Sequence, residues 1–112
     1  MTIRETSAML KAEILQNNFE DVPLTGAYTS DLLSDVMANA KEGGALITIQ
    51  AHKNTVAVAT LVNITLIILC NNRPLQDDDM LEAAEEEGIA VIRTKENQFT
   101  VSGKLWTALS PR

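Results

Sequence analysis

Two short apolar stretches separated by a spacer constrain the fold of this chain more than any other feature of its sequence. Residues 45–50 and 65–69 are apolar almost throughout, as are the strands of a sheet that is covered on both faces. Neighbouring parallel strands need a crossover of about a dozen residues. The interval 51–64 supplies that crossover if it is helical, although 55–59 alone could form a strand. These segments therefore predict a β-α-β unit.

The N-terminal part of the chain adds a helix and a strand to this unit. Thr2 and Glu5 have the spacing of a capping box, which predicts a short helix ending near Lys11. A polar loop begins at 17–18, and residues 24–28 are predicted to form a short strand.

A second helix is predicted directly after that strand. Ser30 is its expected N-cap, and Asp31 would lie in the first turn, where a carboxylate is favourable. Residues 43–44, both glycine, end the helix. Its apolar residues recur at helical spacing and predict one buried stripe, made of Leu32, Leu33, Val36, Met37 and Ala40.

The C-terminal half continues the same alternation. Residues 74–88 predict a helix, 89–92 a strand, and 97–109 a last helix that buries Phe99, Leu105 and Trp106. Strands alternating with helices are typical of a mostly parallel sheet between helix layers. We therefore predict the α/β class, as a three-layer α/β/α arrangement in one domain over residues 1–112.

Composition and charge exclude several classes of partner. The net charge is −6, and no cluster of Lys and Arg alternates with aromatic residues. Nucleic acid and an anionic membrane surface are therefore not expected as partners. The single cysteine, Cys70, excludes an internal disulfide and fits a reducing compartment. The first residues lack the apolar run of a signal peptide, so the cytoplasm is the expected location.

The candidate ligand-binding residues follow the predicted strands. In open α/β sheets, ligands bind beyond the carboxyl ends of the strands. Four loops occupy that position here, and all four are rich in hydrogen-bonding groups. The candidates are Ser30 and Asp31, Gln50 and His52, Asn71 and Asn72, and Thr94 and Asn97.

Each candidate also has a purely structural interpretation. Ser30 would serve as an N-cap, Asp31 and Asp35 as a solvated helix face, and residues 71–72 as a turn. Cys70 ends a buried strand and is expected to be inert. No nucleophile elbow, P-loop or zinc-binding motif occurs. The sequence therefore predicts no catalytic residue, no metal site and no cofactor.

Several stretches, taken in order, resemble a known family. They are GAYTSDLLSDVMA at 26–38, ALITIQAH at 45–52, VAVA at 56–59, IILCNNRP at 67–74 and TKENQFT at 94–100. Together they resemble a stand-alone branch of DRTGG-domain proteins over about residues 20–108. That family is similar to the N-terminal domain of HPr kinase/phosphorylase and to a domain found between CBS domains in some pyrophosphatases.

The resemblance implies an accessory or regulatory domain that carries no catalytic centre and tends to dimerise. This chain lacks the Asp-Arg-Thr-Gly-Gly motif that names the family. The loop that usually ends in Thr-Gly-Gly ends in Cys70-Asn71-Asn72 here. Glycines that would let the backbone approach a phosphate are therefore missing from this loop.

Three functional hypotheses follow. The leading one is a non-catalytic regulatory homodimer that senses a small ligand. The second is a pure protein–protein interaction module without a small-molecule site. The third is a phosphoacceptor at Ser30 that acts with an anti-sigma-type kinase.

Overall fold

Helices and strands alternate along residues 1–110, the part of the chain that the computed structural model describes, except that two strands follow one another near its start. In chain order they are α1 (Ile3–Leu10), β1 (Glu13–Gln16), β2 (Ala27–Thr29), α2 (Leu33–Asn39), β3 (Ala45–Thr48), α3 (Lys53–Leu61), β4 (Leu66–Leu69), α4 (Met80–Glu87), β5 (Ala90–Arg93) and α5 (Gln98–Leu109). The predicted single domain also includes residues 111 and 112, which lie outside this description.

The sheet is mostly parallel, as the sequence predicts. Its strand order is β1-β5-β4-β3-β2, and only the pairing of β1 with β5 is antiparallel. The interval 51–64 contains α3, so it forms the expected crossover between β3 and β4. Buried residues of α2, α3 and α4 pack on one face of the sheet, and those of α1 and α5 on the other. The result is a three-layer α/β/α arrangement.

Strand β4 lies at the centre of the sheet and is buried along its whole length. Ile67 and Leu69 point into the layer of α3 and α4, whereas Leu66 and Ile68 point toward α1 and α5. The side chains of a strand alternate between faces, so a strand buried on both sides must be apolar at every position. This is why the apolar stretches locate the central strands within a residue or two.

Strand β1 lies in a segment that the sequence pattern does not predict to be a strand. Its four residues include Glu13 and Gln16, and a bulge interrupts its register with β5. Gln16 is nevertheless buried, because its side-chain amide donates to the carbonyl of Ile89 at 2.8 Å. A short polar edge strand has no periodic signal, and its partner lies far away in sequence.

The second helix starts later than predicted, and Ser30 is not its N-cap. The N-cap is Leu32, which provides no side-chain cap, and the Ser30 hydroxyl instead accepts a hydrogen bond from the Leu32 N–H at 3.2 Å. Of the predicted stripe only Val36 is fully buried; Leu32 and Met37 are 65% and 51% exposed. The helix has seven residues and presents a narrow buried face.

The helix predicted over 74–88 begins only at Met80. The backbone before it is irregular, with a bend at 76 and a turn at 78–79, and the Asp77 carboxylate accepts a hydrogen bond from the backbone N–H of Lys53 at 3.0 Å. Asp77 therefore provides a hydrogen-bond acceptor for a free N–H group in the first turn of α3, and not for the first turn of α4, which follows it in sequence.

The last helix has the predicted extent, but the prediction of its buried residues is wrong at two positions. Leu105 is buried, whereas Phe99 and Trp106 are 87% and 78% exposed. Gly103 does not interrupt the helix. No helix within residues 1–110 is long and apolar enough to cross a membrane.

Gly43 occupies a conformation that excludes a side chain. Its φ is +79°, and a Cβ there would lie 2.9 Å from Cγ2 of Thr25. The Gly43 N–H donates to the carbonyl of Asn63 at 2.8 Å, and its own carbonyl accepts from the Thr25 N–H. This turn therefore joins β2, β3 and the end of α3 at the amino edge of the sheet.

We expect Gly43→Ala to lower the free energy of unfolding by about 2 kcal/mol, because it combines a strained φ with a clash. Gly26→Ala is the matched control, since a Cβ at Gly26 meets nothing within 4 Å. Urea unfolding followed by circular dichroism measures both. Equal midpoints for the two variants would contradict this account of the turn.

Candidate functional site

The Asp31 side chain connects the first predicted loop with the second and the fourth. Its Oδ1 accepts hydrogen bonds from the Thr48 hydroxyl at 2.9 Å, the Ile49 N–H at 2.8 Å and the Gln98 amide at 3.0 Å. These donors belong to the end of β3 and the start of α5. One carboxylate oxygen therefore holds the first, second and fourth loops together.

Gln50 and His52 extend this network. The Gln50 side-chain amide donates to the Asp31 carbonyl at 2.9 Å, and its oxygen lies 3.2 Å from Nε2 of His52. The His52 side chain is half-buried rather than a freely exposed surface group. Three predicted site residues and Gln98 therefore form one chain of hydrogen bonds, which we call the Asp31 network: Asp31, Gln50, His52 and Gln98.

Asn71 and Asn72 join the third loop to the fourth. Both have left-handed backbone conformations, with φ of 60° and 51°. Their N–H groups donate to the carbonyls of Glu96 at 2.9 Å and Thr94 at 2.8 Å. Asparagine tolerates this conformation better than most residues do. The backbone of this pair is a turn, and both side chains remain exposed.

Thr94 and Asn97 have structural roles. The Thr94 side chain is buried, and its hydroxyl accepts from the Glu96 N–H at 3.2 Å. Asn97 is the N-cap of α5, and its side-chain oxygen accepts from the Thr100 N–H at 2.9 Å. These two residues shape the fourth loop, and the side-chain oxygen of each is already engaged within the protein.

Asp31 and Asp35, predicted on one helix face, belong to different sets of contacts. The Tyr28 hydroxyl donates to both Asp35 oxygens, at 3.0 and 2.8 Å. The Ser30 and Tyr28 hydroxyls lower the pKa of Asp35, and the Asp35 carboxylate raises the pKa of Tyr28. Within residues 1–110, no group of three or more His, Cys, Asp or Glu side chains is placed to hold a metal ion.

Cys70 lies where β4 ends, directly beneath the loops, and is fully buried. Burial raises the pKa of its thiol to about 12, and the negative charges of Asp31 and Glu96 act in the same direction. The nucleophilic form of cysteine is the thiolate. Cys70 is therefore an unreactive thiol at neutral pH.

Sequence reasoning missed two members of the site, Thr48 and Gln98. It assigned residue 48 to the interior of a strand and residue 98 to a helix, so neither was considered a loop residue. Gln98 directly follows the N-cap of α5, at the same edge of the sheet as the four loops. The first turn of a helix that follows a parallel strand faces the ligand edge, and this rule could have found it.

A large cavity lies apart from the predicted site residues. It has a volume of about 960 Å³ and opens between β2 and α5, lined among others by Ala27, Thr29, Phe99, Gly103 and Trp106. Its lining contains none of the eight predicted site residues. The second cavity, of about 510 Å³, lies between β1 and α4.

A comparison with known proteins identifies the fold. No protein-family model and no curated protein matches this sequence. Among solved structures, the chain is similar to the CBS and DRTGG domains of the regulatory region of Clostridium perfringens pyrophosphatase, solved with its activator diadenosine tetraphosphate. The TM-score is 0.71 at 18% identity, over 98% of this chain and 47% of that one. The fold is therefore DRTGG-like, and this chain spans about half the length of that structure.

We expect Asp31→Ala to lower the free energy of unfolding by about 1–3 kcal/mol, because it leaves the Ile49 N–H and the Thr48 hydroxyl without their acceptor. Asp31→Asn keeps an acceptor oxygen and should cost less. Asp78→Ala is the control, since Asp78 is exposed in the turn before α4. Urea midpoints measure all three, and an unchanged midpoint for Asp31→Ala would refute the role of the network.

The Cys70 thiol predicts a specific pH dependence of stability. The folded protein keeps the thiol protonated to about pH 12, whereas the unfolded chain ionises it near its ordinary pKa of 9.0. The contribution of Cys70 to stability is therefore complete below pH 9 and is lost as pH rises toward 12.

Urea midpoints measured between about pH 8 and 10 should fall more steeply for the wild type than for Cys70→Ala, which has no thiol to ionise. Other groups that titrate in this range are common to both proteins. Parallel pH profiles would show that the folded environment does not protect this thiol.

Proposed function

We propose that this chain is a non-catalytic regulatory domain that works as a homodimer and responds to a small polar ligand at the carboxyl edge of its sheet. The observation that carries the proposal is the Asp31 network, which draws three of the four predicted loops together through one carboxylate. The third loop joins them through the turn at 71–72.

The edge offers both donors and acceptors to such a ligand. All three side-chain hydrogen bonds to Asp31 end on Oδ1, which leaves Oδ2 available to a ligand donor. The amides of Asn71 and Asn72 are exposed, and the His52 ring is partly so. Lys53 follows His52 at the start of α3 and adds a cation, whose ammonium lies 3.8 Å from a carboxylate oxygen of Asp79 on the exposed surface. These groups suit a ligand that carries both hydrogen-bonding and anionic groups.

The similar solved structure suggests which ligands to test first. That region belongs to a pyrophosphatase and holds CBS and DRTGG domains with a nucleotide activator. A regulatory role for this chain is consistent with that likeness. Membership of the DRTGG family and a cytoplasmic location remain part of the proposal.

The chemistry of the site supports a non-catalytic role. The Ser30 hydroxyl is engaged with the Leu32 N–H, and burial keeps the Cys70 thiol protonated. Neither group is prepared to act as a nucleophile. The engagement of Ser30 also gives no support to its use as a phosphoacceptor.

A separate observation supports a second function, that of a protein–protein interaction module. Phe99 and Trp106 are large, exposed aromatic residues beside the larger cavity. Exposed apolar patches of this kind mark interaction sites in soluble proteins. An interaction module is therefore the alternative, and it does not require the carboxyl edge to bind anything.

A thermal-shift titration with ATP, diadenosine tetraphosphate and phosphorylated metabolites tests the proposal. Ligand at 100 times its dissociation constant stabilises a protein by about 2.7 kcal/mol, which is roughly 10 °C for a domain of this size. His52→Ala and Asn72→Gly should abolish a saturable shift. Glycine is chosen at 72 because it retains the left-handed backbone.

Asn17→Ala is the control for this titration, because Asn17 is exposed near the opposite edge of the sheet. It should keep the full shift. No shift across the panel, or a shift that survives both site variants, would reject the ligand site and favour the interaction module.

A further inference from the structure

We propose that the groove between β2 and α5 is closed by a second copy of this chain, related by a two-fold axis that runs beside α5 at the level of Ser102 and Gly103. This proposal rests on the proposed function, in which the chain works as a homodimer, and it identifies the interface of that dimer. It does not depend on whether the carboxyl edge binds a ligand.

The outward side of α5 is self-complementary. Phe99 and Trp106 lie seven positions apart on one side of the helix, and the two small residues at 102 and 103 lie midway between them. When two such helices pack antiparallel about the midpoint, Phe99 of each copy meets Trp106 of the other. The small residues face each other on the axis, where they let the backbones approach. A two-fold interface requires a surface that matches itself in this way.

The two edge strands of the sheet differ in how well they are protected against pairing with another strand. Edge strand β1 is protected by a bulge and by the ion pair of Glu13 with Arg93 at 2.9 Å. Natural proteins use charges and bulges of this kind to prevent edge-to-edge pairing. Edge strand β2 has the sequence Ala27-Tyr28-Thr29, with no charge, no proline and no bulge. Only the edge beside the aromatic stripe is left open to pairing.

The backbone of β2 can pair with its own copy. Gly26 accepts a hydrogen bond from the Ala45 N–H at 3.0 Å, so the alternation along the strand turns the backbone groups of Ala27 and Thr29 outward. In an antiparallel pair of β2 strands centred on Tyr28, Ala27 of one copy bonds Thr29 of the other. The two sheets then become one continuous sheet.

One axis satisfies both contacts. Helix α5 packs over β2 and β3, and the Thr29 and Ser102 hydroxyls lie 2.6 Å apart, so strand and helix form one unit. Strands lie about 4.8 Å apart in a sheet. An axis just outside β2 therefore lies about 5 Å from the centre of α5, which places the two helices about 10 Å apart. This is the separation of packed helices, about 8–10 Å.

The charges around the groove also allow a second copy to bind there. The chain has a net charge of −6, yet among residues 1–110 Lys41 is the only charged residue that lines the groove. Two copies can therefore meet here with little repulsion between like charges. The four aromatic side chains would together bury on the order of 600 Å², since a large aromatic residue buries about 150–250 Å². That is about half of the 1,200 Å² that the smallest standard interfaces bury, and β2 supplies further area.

The test measures association and does not use a ligand. Trp106 is the only tryptophan, so its emission reports on this face alone. On dilution of the wild type, sedimentation should show the mass falling from two chains to one, while the Trp106 emission shifts to the red. Gly103→Glu, which places two carboxylates beside the axis, should be monomeric at every concentration with red-shifted emission throughout. A Cβ at 103 meets nothing within 4 Å, so this variant should still fold.

Ala57→Glu is the matched control, with the same charge placed at an exposed position of α3 on the opposite face of the sheet. It should dimerise like the wild type. Gly103→Cys supplies a positive readout: under mild oxidation it should form a disulfide-linked dimer, whereas Ala57→Cys should not. The native Cys70 is buried and does not interfere.

A wild type that is monomeric at every concentration would overturn the proposal. So would a dimer that forms equally well in Gly103→Glu and does not cross-link through Gly103→Cys, because the axis would then lie elsewhere. Repeating the thermal-shift titration on monomeric Gly103→Glu separates the two proposals. A retained ligand shift there shows that the carboxyl edge works without the dimer, and a wild type that dimerises without any shift rejects only the ligand site.

Discussion

The burial of three central strands on both faces is the constraint on which the rest of the structure depends. Strands β3 and β4 are buried at every position, and β5 at every position but its last. A strand with two apolar faces needs a layer of helices on each side. The helices must then serve as crossovers, which makes these strands parallel and brings their following loops to one edge. The candidate site exists at that edge because the core requires this topology.

The elements that the sequence predicts best are those that this burial on both faces requires. Apolar stretches located β3, β4 and β5 within a residue or two, and the need for a crossover correctly favoured a helix over 53–61. Elements at the periphery gave weaker signals. Strand β1 contains Glu13 and Gln16 and pairs only with β5, so its existence depends on a distant partner. Phe99 and Trp106 were assigned to the core because large aromatics usually lie there.

The site was predictable in its position and less so in its details. The rule for parallel sheets selected loops that do contact one another, through Asp31 and through the turn at 71–72. It did not distinguish side chains that shape the loops, such as Thr94, from side chains left free, such as Asn72. Which hydrogen bonds a polar side chain makes depends on neighbours that are distant in sequence. The bond from Gln98 to Asp31 spans 67 positions and could not be inferred from either segment alone.

The pairing of β1 with β5 also determines the order in which the protein can fold. The side-chain amide of Gln16 donates a hydrogen bond to the carbonyl of Ile89, 73 positions away in sequence. The first strand of the chain can therefore pair only after the last strand has formed. During synthesis the parallel β-α-β units can form one after another, but the edge of β5 stays open until β1 docks. Contacts of such long range slow folding, because a large loop must close before they contribute. Of all the pairings in the sheet, this one is expected to form last.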